Sequence, residues 1–392
     1  MKRDLERIEI PGEHDARERT WATVQAAFAS RQPMERKTRL LRPALALAVG
    51  LAVVAAVASP PGRAVLDEIR DVVATEARAP LFRLPSAGKL LVVSQENGGV
   101  WVVTEDGARR RLGDYEDAAW SPFGRYVLVT RRSLLRALTP EGEERWSIGG
   151  RNLSQATWSG TETDTRIAYI SDVEEGGARV VAGDGTGDRL LVPGADGPLA
   201  WRPGSRHELA SASGANLELR NADTGRIVWT ARGLSPRVTR GLSWSSDGKR
   251  LAVVAGRTIA VVDERGRIVR RLEFPSAEIV AAAFAPQGHE LAVHLRSTKG
   301  GFLAWRSTIR LLDVDGSSRG RNVFQGQGDF GELAWSPDGR WLLTTWRTAD
   351  QWLFVERATG RVVAISDISM RFPRVDGRRP LLFVSDRWCC GP

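Results

Sequence analysis

The stretch LAWSPDGRWLL, residues 333–343, decides the fold, because nearly the same pattern returns several times along the chain. Related copies are AAWSPFGRYVL at 118–128, LSWSSDGKRLA at 242–252 and AAFAPQGHELA at 282–292. Each copy joins an aromatic residue, a tight turn and a short apolar run. Pro-Asp-Gly is typical of a type I turn, since Pro fixes φ and Gly tolerates the positive φ that follows. The pattern therefore predicts a strand, a turn and a second strand.

The aromatic residue of this pattern marks a repeat, because it recurs at spacings of 38 to 51 residues. A period near forty with short alternating apolar runs is typical of propeller blades. One four-stranded sheet cannot bury both of its faces alone, so the units must pack against one another in a ring. We expect the aromatic ring to fill the gap between neighbouring sheets, where it buries a large area. The six aromatic positions are Trp120, Trp158, Trp201, Trp244, Phe284 and Trp335.

The last unit indicates four strands in each repeat, since LAWSPDG is followed by RWLLTTW (340–346), QWLFVERATG (351–360) and RVVAIS (361–366). Strand-rich pieces also stand at both ends, at 89–107 and 372–386. About 310 residues at a period near 43 predict an all-β propeller of about seven four-stranded blades, with eight or six as alternatives. We expect the two end pieces to share one blade and to close the ring by pairing C-terminal strands with N-terminal ones.

The motifs SPDGRWLL, SSDGKRLA and TIAVVDERG (258–266) resemble the WD-repeat-like β-propeller family in its bacterial, membrane-anchored form. The resemblance covers roughly residues 84–388 and implies a propeller. The Gly-His and Trp-Asp dipeptides of the eukaryotic members are missing from their expected places, where the strands end in VVDERG, LLDVDG and VERATG. No eukaryotic scaffolding partner is therefore carried over to this chain.

Ahead of the repeats, residues 43–59 (PALALAVGLAVVAAVAS) carry no charge and predict a single transmembrane helix. As a helix they would span roughly 25 Å, at the low end of what a bilayer core needs. Five basic residues precede them in 31–42, whereas 60–71 is mixed in charge. The positive-inside rule then predicts a cytoplasmic N-terminus and an extracytoplasmic propeller at the cell membrane. Burial in a soluble core is the alternative, and the long leading region favours an uncleaved anchor.

The N-terminal tail predicts one amphipathic helix, because residues 13–32 lack Gly and Pro and place Trp21, Val24 and Phe28 on one stripe. So short a segment cannot build a core, and we expect the stripe to dock a cytoplasmic protein such as a transcription regulator. The membrane surface, a second copy and a poorly ordered tail are the alternatives. The predicted organisation is a tail at 1–42, the anchor at 43–59, a juxtamembrane helix and linker at 60–80, and the propeller at 81–392.

No catalytic motif stands out, so we predict no catalytic residue, no cofactor and no metal. The chain contains no G-x-S-x-G elbow. His289 and His294 in HELAVH have the wrong spacing for the zinc motif H-E-x-x-H, which predicts ordinary turn and strand positions. DGTGD (184–188) and DVDGSS (313–318) lack the distal ligands of calcium loops, which favours hairpin turns.

One irregular segment is a candidate partner site. RSTKGGFLAWRST (296–308) lengthens its repeat, and a protruding hairpin would present Phe302, Leu303 and Trp305 as a contact surface. A longer strand pair that packs its own aromatic residues is the alternative.

The two cysteines, Cys389 and Cys390, are adjacent and close to the end of the chain. Neighbouring cysteines cannot join distant parts of a fold. We expect them to belong to an incidental tail, with a vicinal disulfide or an intermolecular bridge as alternatives.

The net charge of +9 does not by itself indicate a nucleic-acid partner. The arginines of the chain alternate with apolar residues, as in RRRL (109–112) and VRRLE (269–273). This alternation is typical of strand positions that face solvent. The sequence therefore favours a membrane-anchored, non-enzymatic binding or sensing module of the cell envelope with an unidentified protein partner. The alternatives are a propeller enzyme that acts on an envelope carbohydrate or peptide, and a plain envelope scaffold.

Overall fold

Seven four-stranded antiparallel sheets make up the described part of the chain, so the predicted all-β propeller of seven blades is confirmed. The structure is a computed structural model. It describes residues 83–94, 99–159, 163–173, 175–204, 207–213, 216–232, 234, 239–297, 305–316, 320–375 and 382–390.

The strands follow one another regularly along the chain. Blade 1 contains β1 (Lys89–Ser94), β2 (Gly99–Val103), β3 (Arg109–Asp114) and β28 (Leu382–Cys389). Blade 2 contains β4 (Asp117–Trp120), β5 (Val127–Arg131), β6 (Leu134–Leu138) and β7 (Glu144–Gly149). Blade 3 contains β8 (Ser154–Trp158), β9 (Arg166–Ser171), β10 (Gly177–Ala182) and β11 (Arg189–Pro193). Blade 4 contains β12 (Leu199–Trp201), β13 (Glu208–Ser213), β14 (Asn216–Asn221) and β15 (Ile227–Ala231).

The remaining blades have the same order. Blade 5 contains β16 (Thr239–Trp244), β17 (Arg250–Ala255), β18 (Thr258–Asp263) and β19 (Ile268–Glu273). Blade 6 contains β20 (Ala277–Phe284), β21 (Glu290–Ser297), β22 (Arg306–Asp313) and β23 (Arg321–Gln327). Blade 7 contains β24 (Phe330–Trp335), β25 (Trp341–Trp346), β26 (Gln351–Glu356) and β27 (Val362–Ile365). The first strands of blades 2 to 7 contact the first strands of neighbouring blades, and β28 takes this place in blade 1, so these strands form the inner wall of the ring.

The ring closes where β28 pairs antiparallel with β1, with Lys89 opposite Cys389. β28 takes the innermost place of blade 1, so the prediction that the two end pieces share a blade is confirmed. Only one strand comes from the C-terminal piece, however. A single helical turn at Ile368–Arg371 leads into buried Phe372, which packs edge-on against Trp101 with ring centroids 5.4 Å apart. The beginning of the predicted C-terminal piece therefore packs as a connection and not as a strand.

Apolar side chains of neighbouring blades form shared cores, as the alternating pattern predicts. Between blades 6 and 7, Ile309 and Phe324 pack with Leu342 and Leu353 in one buried cluster. Burial of a side chain of this size contributes about 1.5–3 kcal/mol. Clusters of this kind join successive blades and hold the ring together.

The repeated tryptophan is a tie between blades as well as core. In four blades its indole Nε1 donates a hydrogen bond to a carbonyl oxygen on the inner strand of the preceding blade. The acceptor there is the residue just before the aromatic position of that preceding blade. Among the described residues, the Nε1 of Trp158 has no hydrogen-bond partner. The bonds are Trp120 to Arg387 (3.1 Å), Trp201 to Thr157 (3.1 Å), Trp244 to Ala200 (3.3 Å) and Trp335 to Ala283 (3.0 Å).

The turn after the tryptophan has the predicted geometry and an internal cap. The buried Ser336 hydroxyl accepts a hydrogen bond from the Trp341 N–H (2.9 Å) and donates one to Asp338 (2.5 Å). The same carboxylate accepts the Arg340 N–H at 3.0 Å. Gly339 has φ of 68°, a left-handed conformation that glycine adopts at no steric cost. The turn is therefore fixed by its own four residues and the strand that follows.

Residues 1–82 lie outside the described residues. The predicted tail helix, the anchor at 43–59 and the linker at 60–80 therefore stay predictions. Within the ranges given above, no helix is long and apolar enough to cross a membrane.

Candidate functional site

The two faces of the propeller differ in regularity. Because the strands of a blade alternate in direction, the first-to-second and third-to-fourth connections lie on one face, which we name the turn face. The second-to-third connections and the links between blades lie on the other, which we name the loop face. The Ser-Pro-Asp-Gly turn at 336–339 and its related copies at 121–124, 245–248 and 285–288 all lie on the turn face.

Irregular features gather on the loop face of blades 6 and 7. Strands β20, β21 and β22 each extend over eight residues. A 3-10 turn at Arg347–Ala349 follows β25, and it ends at Asp350, whose φ is 53°. The Asp350 carboxylate accepts hydrogen bonds from the Ser369 N–H (2.9 Å) and hydroxyl (2.6 Å), which fixes the helical turn beside it. Positioned loops on a rigid scaffold are common places for binding.

Arg296 is part of a series of side chains with alternating charge on this part of the loop face. Its guanidinium pairs with Glu278 of β20 at 2.9 Å and with Asp329, just before β24, at 3.3 Å. All three side chains are at most 29% exposed, so the pairs are partly shielded from solvent. Asp329 links the last strand of blade 6 to the first strand of blade 7, so Arg296 ties the two blades.

Arg347 extends the same series. It pairs with Glu332 of β24 at 2.9 Å and lies 3.9 Å from the second oxygen of Asp329. The charges therefore alternate in sign through five side chains, which we name the rim chain. Its members, in order, are Glu278, Arg296, Asp329, Arg347 and Glu332.

Trp305 lies against the rim chain. The Arg296 guanidinium carbon is 4.2 Å from the centroid of the Trp305 ring, a close cation–π contact. The ring is half-buried, and it packs on a charged partner. Of the three predicted contact residues in this segment, Phe302 and Leu303 lie outside the described residues. The predicted tail residues Trp21, Val24 and Phe28 lie outside them as well.

His294 lies fully buried below the rim chain, at the seam between blades 6 and 7. Its Nδ1 is 2.8 Å from the Gly331 carbonyl oxygen of β24, so in the neutral ring Nδ1 carries the hydrogen and donates it. Burial lowers the pKa of His294 to about 4, the Gly331 hydrogen bond opposes this, and Arg296 and Arg347 add to it. The ring is therefore neutral at neutral pH.

His289 lies on the turn face, where carboxylates contact both of its ring nitrogens. Its Nε2 is 3.0 Å from Asp247 of blade 5, and its Nδ1 contacts Asp315 of its own blade. Arg250 of blade 5 also pairs with Asp315, at 2.8 Å. Burial lowers the pKa of His289, but the hydrogen bonds to Asp315 and Asp247 outweigh burial and raise it.

His207 repeats this arrangement two blades earlier. Its Nδ1 is 2.7 Å from Asp223 of blade 4, and its Nε2 is 2.8 Å from the Asp164 carbonyl oxygen of blade 3. Arg166 pairs with Asp223 at 2.9 Å, as Arg250 pairs with Asp315. The turn and strand positions predicted for His289 and His294 are confirmed, but the sequence did not indicate these bridges between blades.

A cavity of about 220 Å³ lies beside this second bridge. Arg166, Arg189, Thr186 and Asp223 line it together with strand β10. Arg166 and Asp223 pair with each other, so the charges of the lining serve the junction between blades 3 and 4. Among the described residues, no group of three or more His, Cys, Asp and Glu side chains could hold a metal ion.

The hairpin-turn predictions for the two acidic loops are confirmed. The Asp184 carboxylate accepts the Thr186 N–H at 3.0 Å within the turn that joins β10 and β11. In the described part of the second loop, Asp313 accepts the Asp315 N–H at 3.1 Å in the connection after β22. Each carboxylate caps its own turn.

The prediction that the cysteines belong to an incidental tail is wrong. Cys389 ends the ring-closing strand β28, and a vicinal disulfide joins it to Cys390. The pair occupies the place that Ser-Pro has in the turns of blades 2 and 7. A Cβ on Gly124 of blade 2 would meet the Cys390 Sγ at 2.5 Å, so the disulfide packs tightly against the next blade.

Comparison with known proteins gives no family for this chain. A scan against protein-family models finds no match, and a search of curated proteins finds none either. The propeller assignment therefore depends on strand topology.

Proposed function

We propose that the protein is a non-enzymatic binding or sensing module whose loop face at blades 6 and 7 receives a protein partner of the cell envelope. The observation that carries this proposal is the rim chain with Trp305 stacked on it. Half-buried aromatic and arginine side chains are the types that dominate binding energy at protein interfaces. Fixed, alternating charges beside them would select a partner of complementary pattern.

The pairing within the rim chain favours recognition over catalysis. Each of its carboxylates faces a guanidinium, at distances from 2.9 to 3.9 Å. Such pairs hold charge in a set orientation, whereas a general acid or base must exchange its proton with a substrate. An enzyme that acts on an envelope carbohydrate or peptide is the second candidate, because five charged groups converge on one rim.

We make two further proposals, one on the N-terminal segments and one on the family to which the propeller belongs. We infer a single-pass anchor at 43–59 with the propeller outside the membrane, from the uncharged stretch and the basic residues before it. A cytoplasmic partner would dock on Trp21, Val24 and Phe28. The SPDGRWLL motif supports kinship with bacterial WD-repeat-like propellers.

A photo-crosslinking phenylalanine analogue at position 305 of the full chain, in cells, tests the proposed surface. The matched control carries the same analogue at Phe123, which is 66% exposed on the turn face. We expect a discrete cross-linked protein from position 305 and none from position 123. Loss of that product in an Arg296→Ala background would tie it to the rim chain. Absence of any product at position 305, or the same products at both positions, would contradict the proposal and favour a plain scaffold.

A further inference from the structure

Two histidines hold blade 6 to its two neighbours, and their surroundings favour opposite charge states. On the blade 5 side, both ring nitrogens of His289 face carboxylates, Asp247 and Asp315. On the blade 7 side, His294 is fully buried and bonds only through Nδ1, to Gly331. Within the described residues its Nε2 has no hydrogen-bond partner.

In the part of the chain that the structure describes, no charged group lies within hydrogen-bond distance of the His294 Nε2. Its own strand contributes Arg296, and the segment after β25 contributes Arg347, both of which disfavour a nearby cation. Strand β22 places Ile309 opposite it. The carboxylates on the packed elements are Glu278, Asp329 and Glu332, and each contacts a guanidinium of the rim chain through one of its oxygens. The second oxygen of Glu332 is buried without a hydrogen-bond partner among the described residues.

Protonation of His294 in the closed seam would therefore place a third cation beside two guanidiniums, with a new N–H donor that has no acceptor within hydrogen-bond distance among the described residues. Burying a charge without a partner is costly, and the chain avoids the cost by separating the two elements until water reaches the ring. The hydrogen bond from Nδ1 to Gly331 is one direct link across this seam, beside the Arg296–Asp329 pair and the Trp335 to Ala283 bond. Asp329, Arg347 and Glu332 are the members of the rim chain on the blade 7 side, and they would move with it.

We propose that acidification opens the seam between blades 6 and 7 through His294, and thereby loosens the rim chain and regulates the partner site. The use of this opening in regulation rests on the proposed function. The opening itself rests only on the buried ring and its neighbours.

His289 confines the response to one seam. When protonated, its two N–H groups donate to Asp247 and Asp315, so acid strengthens the junction between blades 5 and 6. The other charged groups near it are Lys249 and Arg250 of blade 5, which pair with the same two carboxylates, and Glu290, which pairs with Arg357 of blade 7. Acid would thus release blade 6 on one side and hold it on the other.

The size of the effect follows from linkage. A histidine that titrates near 4 in the closed seam and near 6.5 in the open seam favours opening by a factor that grows as the pH falls. Between about pH 7.5 and pH 5, the open-to-closed ratio should rise on the order of thirtyfold.

Amide hydrogen exchange on the full chain, corrected for the intrinsic pH dependence of exchange, measures this ratio. We expect faster exchange at about pH 5 than at about pH 7.5 in β21 and β24, and no increase in β16 and β17. His294→Asn keeps a donor near the Nδ1 position and cannot titrate, so its acid response should vanish. His289→Asn is the matched control, and it should keep the acid response at β24.

Equal exchange of β24 at both pH values, or an undiminished acid response in His294→Asn, would overturn the proposal. If the variant does not fold, an NMR titration of the His294 ring in the wild-type chain decides the matter. A value near 6.5 would overturn it, and a value near 4 would support it. If cross-linking at position 305 fails while β24 still opens in acid, the proposed function fails and the seam mechanism stands.

Discussion

The turn face and the loop face are built from the same strands, yet they differ in what repeats. On the turn face, the capped turn recurs, the tryptophan hydrogen bond between blades occurs in four blades, and the histidine bridge occurs twice. On the loop face, the longest connections, the extra helical turn and the rim chain are confined to blades 6 and 7 and the link into blade 1. The contacts of the turn face hold the blades in the ring. The loop face carries the features that are not repeated in every blade.

The largest expected effect lies at a tryptophan tie. Trp335→Ala removes a buried ring and its bond to Ala283, which should lower the free energy of unfolding by about 3–5 kcal/mol in urea denaturation. Trp335→Phe keeps most of the buried area and should cost about 1 kcal/mol, because only the hydrogen bond is lost. Trp305→Ala on the loop face should cost far less than Trp335→Ala. Equal losses of unfolding free energy in Trp305→Ala and Trp335→Ala would contradict the difference proposed between the two faces.

The second effect is the pH dependence that His294 imposes. Because its folded pKa is lowered to about 4, the unfolded chain binds more protons between about pH 4 and 6.5. This contribution to stability is therefore present above about pH 6.5 and is lost as the pH falls toward 4, by roughly 3 kcal/mol. Urea midpoints across this range, compared between the wild type and His294→Asn, measure it. A difference in urea midpoint between the wild type and His294→Asn that does not change with pH would show that the His294 ring has an ordinary pKa.

A smaller effect of opposite sign should come from His289. Its folded pKa is raised, so its contribution is complete below about pH 6.5 and is lost as the pH rises through the folded value. His289→Asn should therefore be destabilising at mildly acidic pH and closer to the wild type at alkaline pH. The same urea series measures this, and a loss that grows with pH would refute the assigned bridge to Asp247 and Asp315.

The smallest expected effect is a gain in stability at position 123. Phe123 stands where the turns of blades 5 and 7 have Asp247 and Asp338, and it has φ of 63° and is 66% exposed. A bulky residue in the left-handed region is strained by roughly 1–2 kcal/mol, and asparagine tolerates it better. Phe123→Asn should stabilise the fold by about 0.5–1 kcal/mol, as thermal unfolding would show. A loss of stability would mean that the Phe123 ring packs usefully on the turn face.

Much of the ring was predictable from sequence because each blade is a local unit. The spacing of the tryptophans and the Ser-Pro-Asp-Gly turns predicts the strand order, the turn geometry and the blade number. The tie from Trp335 to Ala283 follows from the same register, although the sequence alone does not name the acceptor. The prediction for the cysteines is wrong because nothing in Cys389-Cys390 shows that a strand from the far end of the chain pairs beside β1.

The candidate site was much less predictable, because its members converge from separate strands. Glu278, Asp329 and Arg347 are ordinary polar residues near strand ends, and only the stacking of two blades brings them together. His289 and His294 stand five residues apart in HELAVH, yet they face different blades with opposite electrostatics. Acidic and basic residues at the loop-face ends of long strands were the one signal that could have indicated the rim chain.

The central claim, that the irregular loop face recognises and the regular turn face supports, is tested most directly by a cross-linking scan around the ring. One photo-crosslinking residue is placed at an exposed position on each face of each blade in the full chain, in cells. The account predicts that discrete partner products come from the loop face of blades 6 and 7. Products spread evenly around the ring, or concentrated on the turn face, would contradict it.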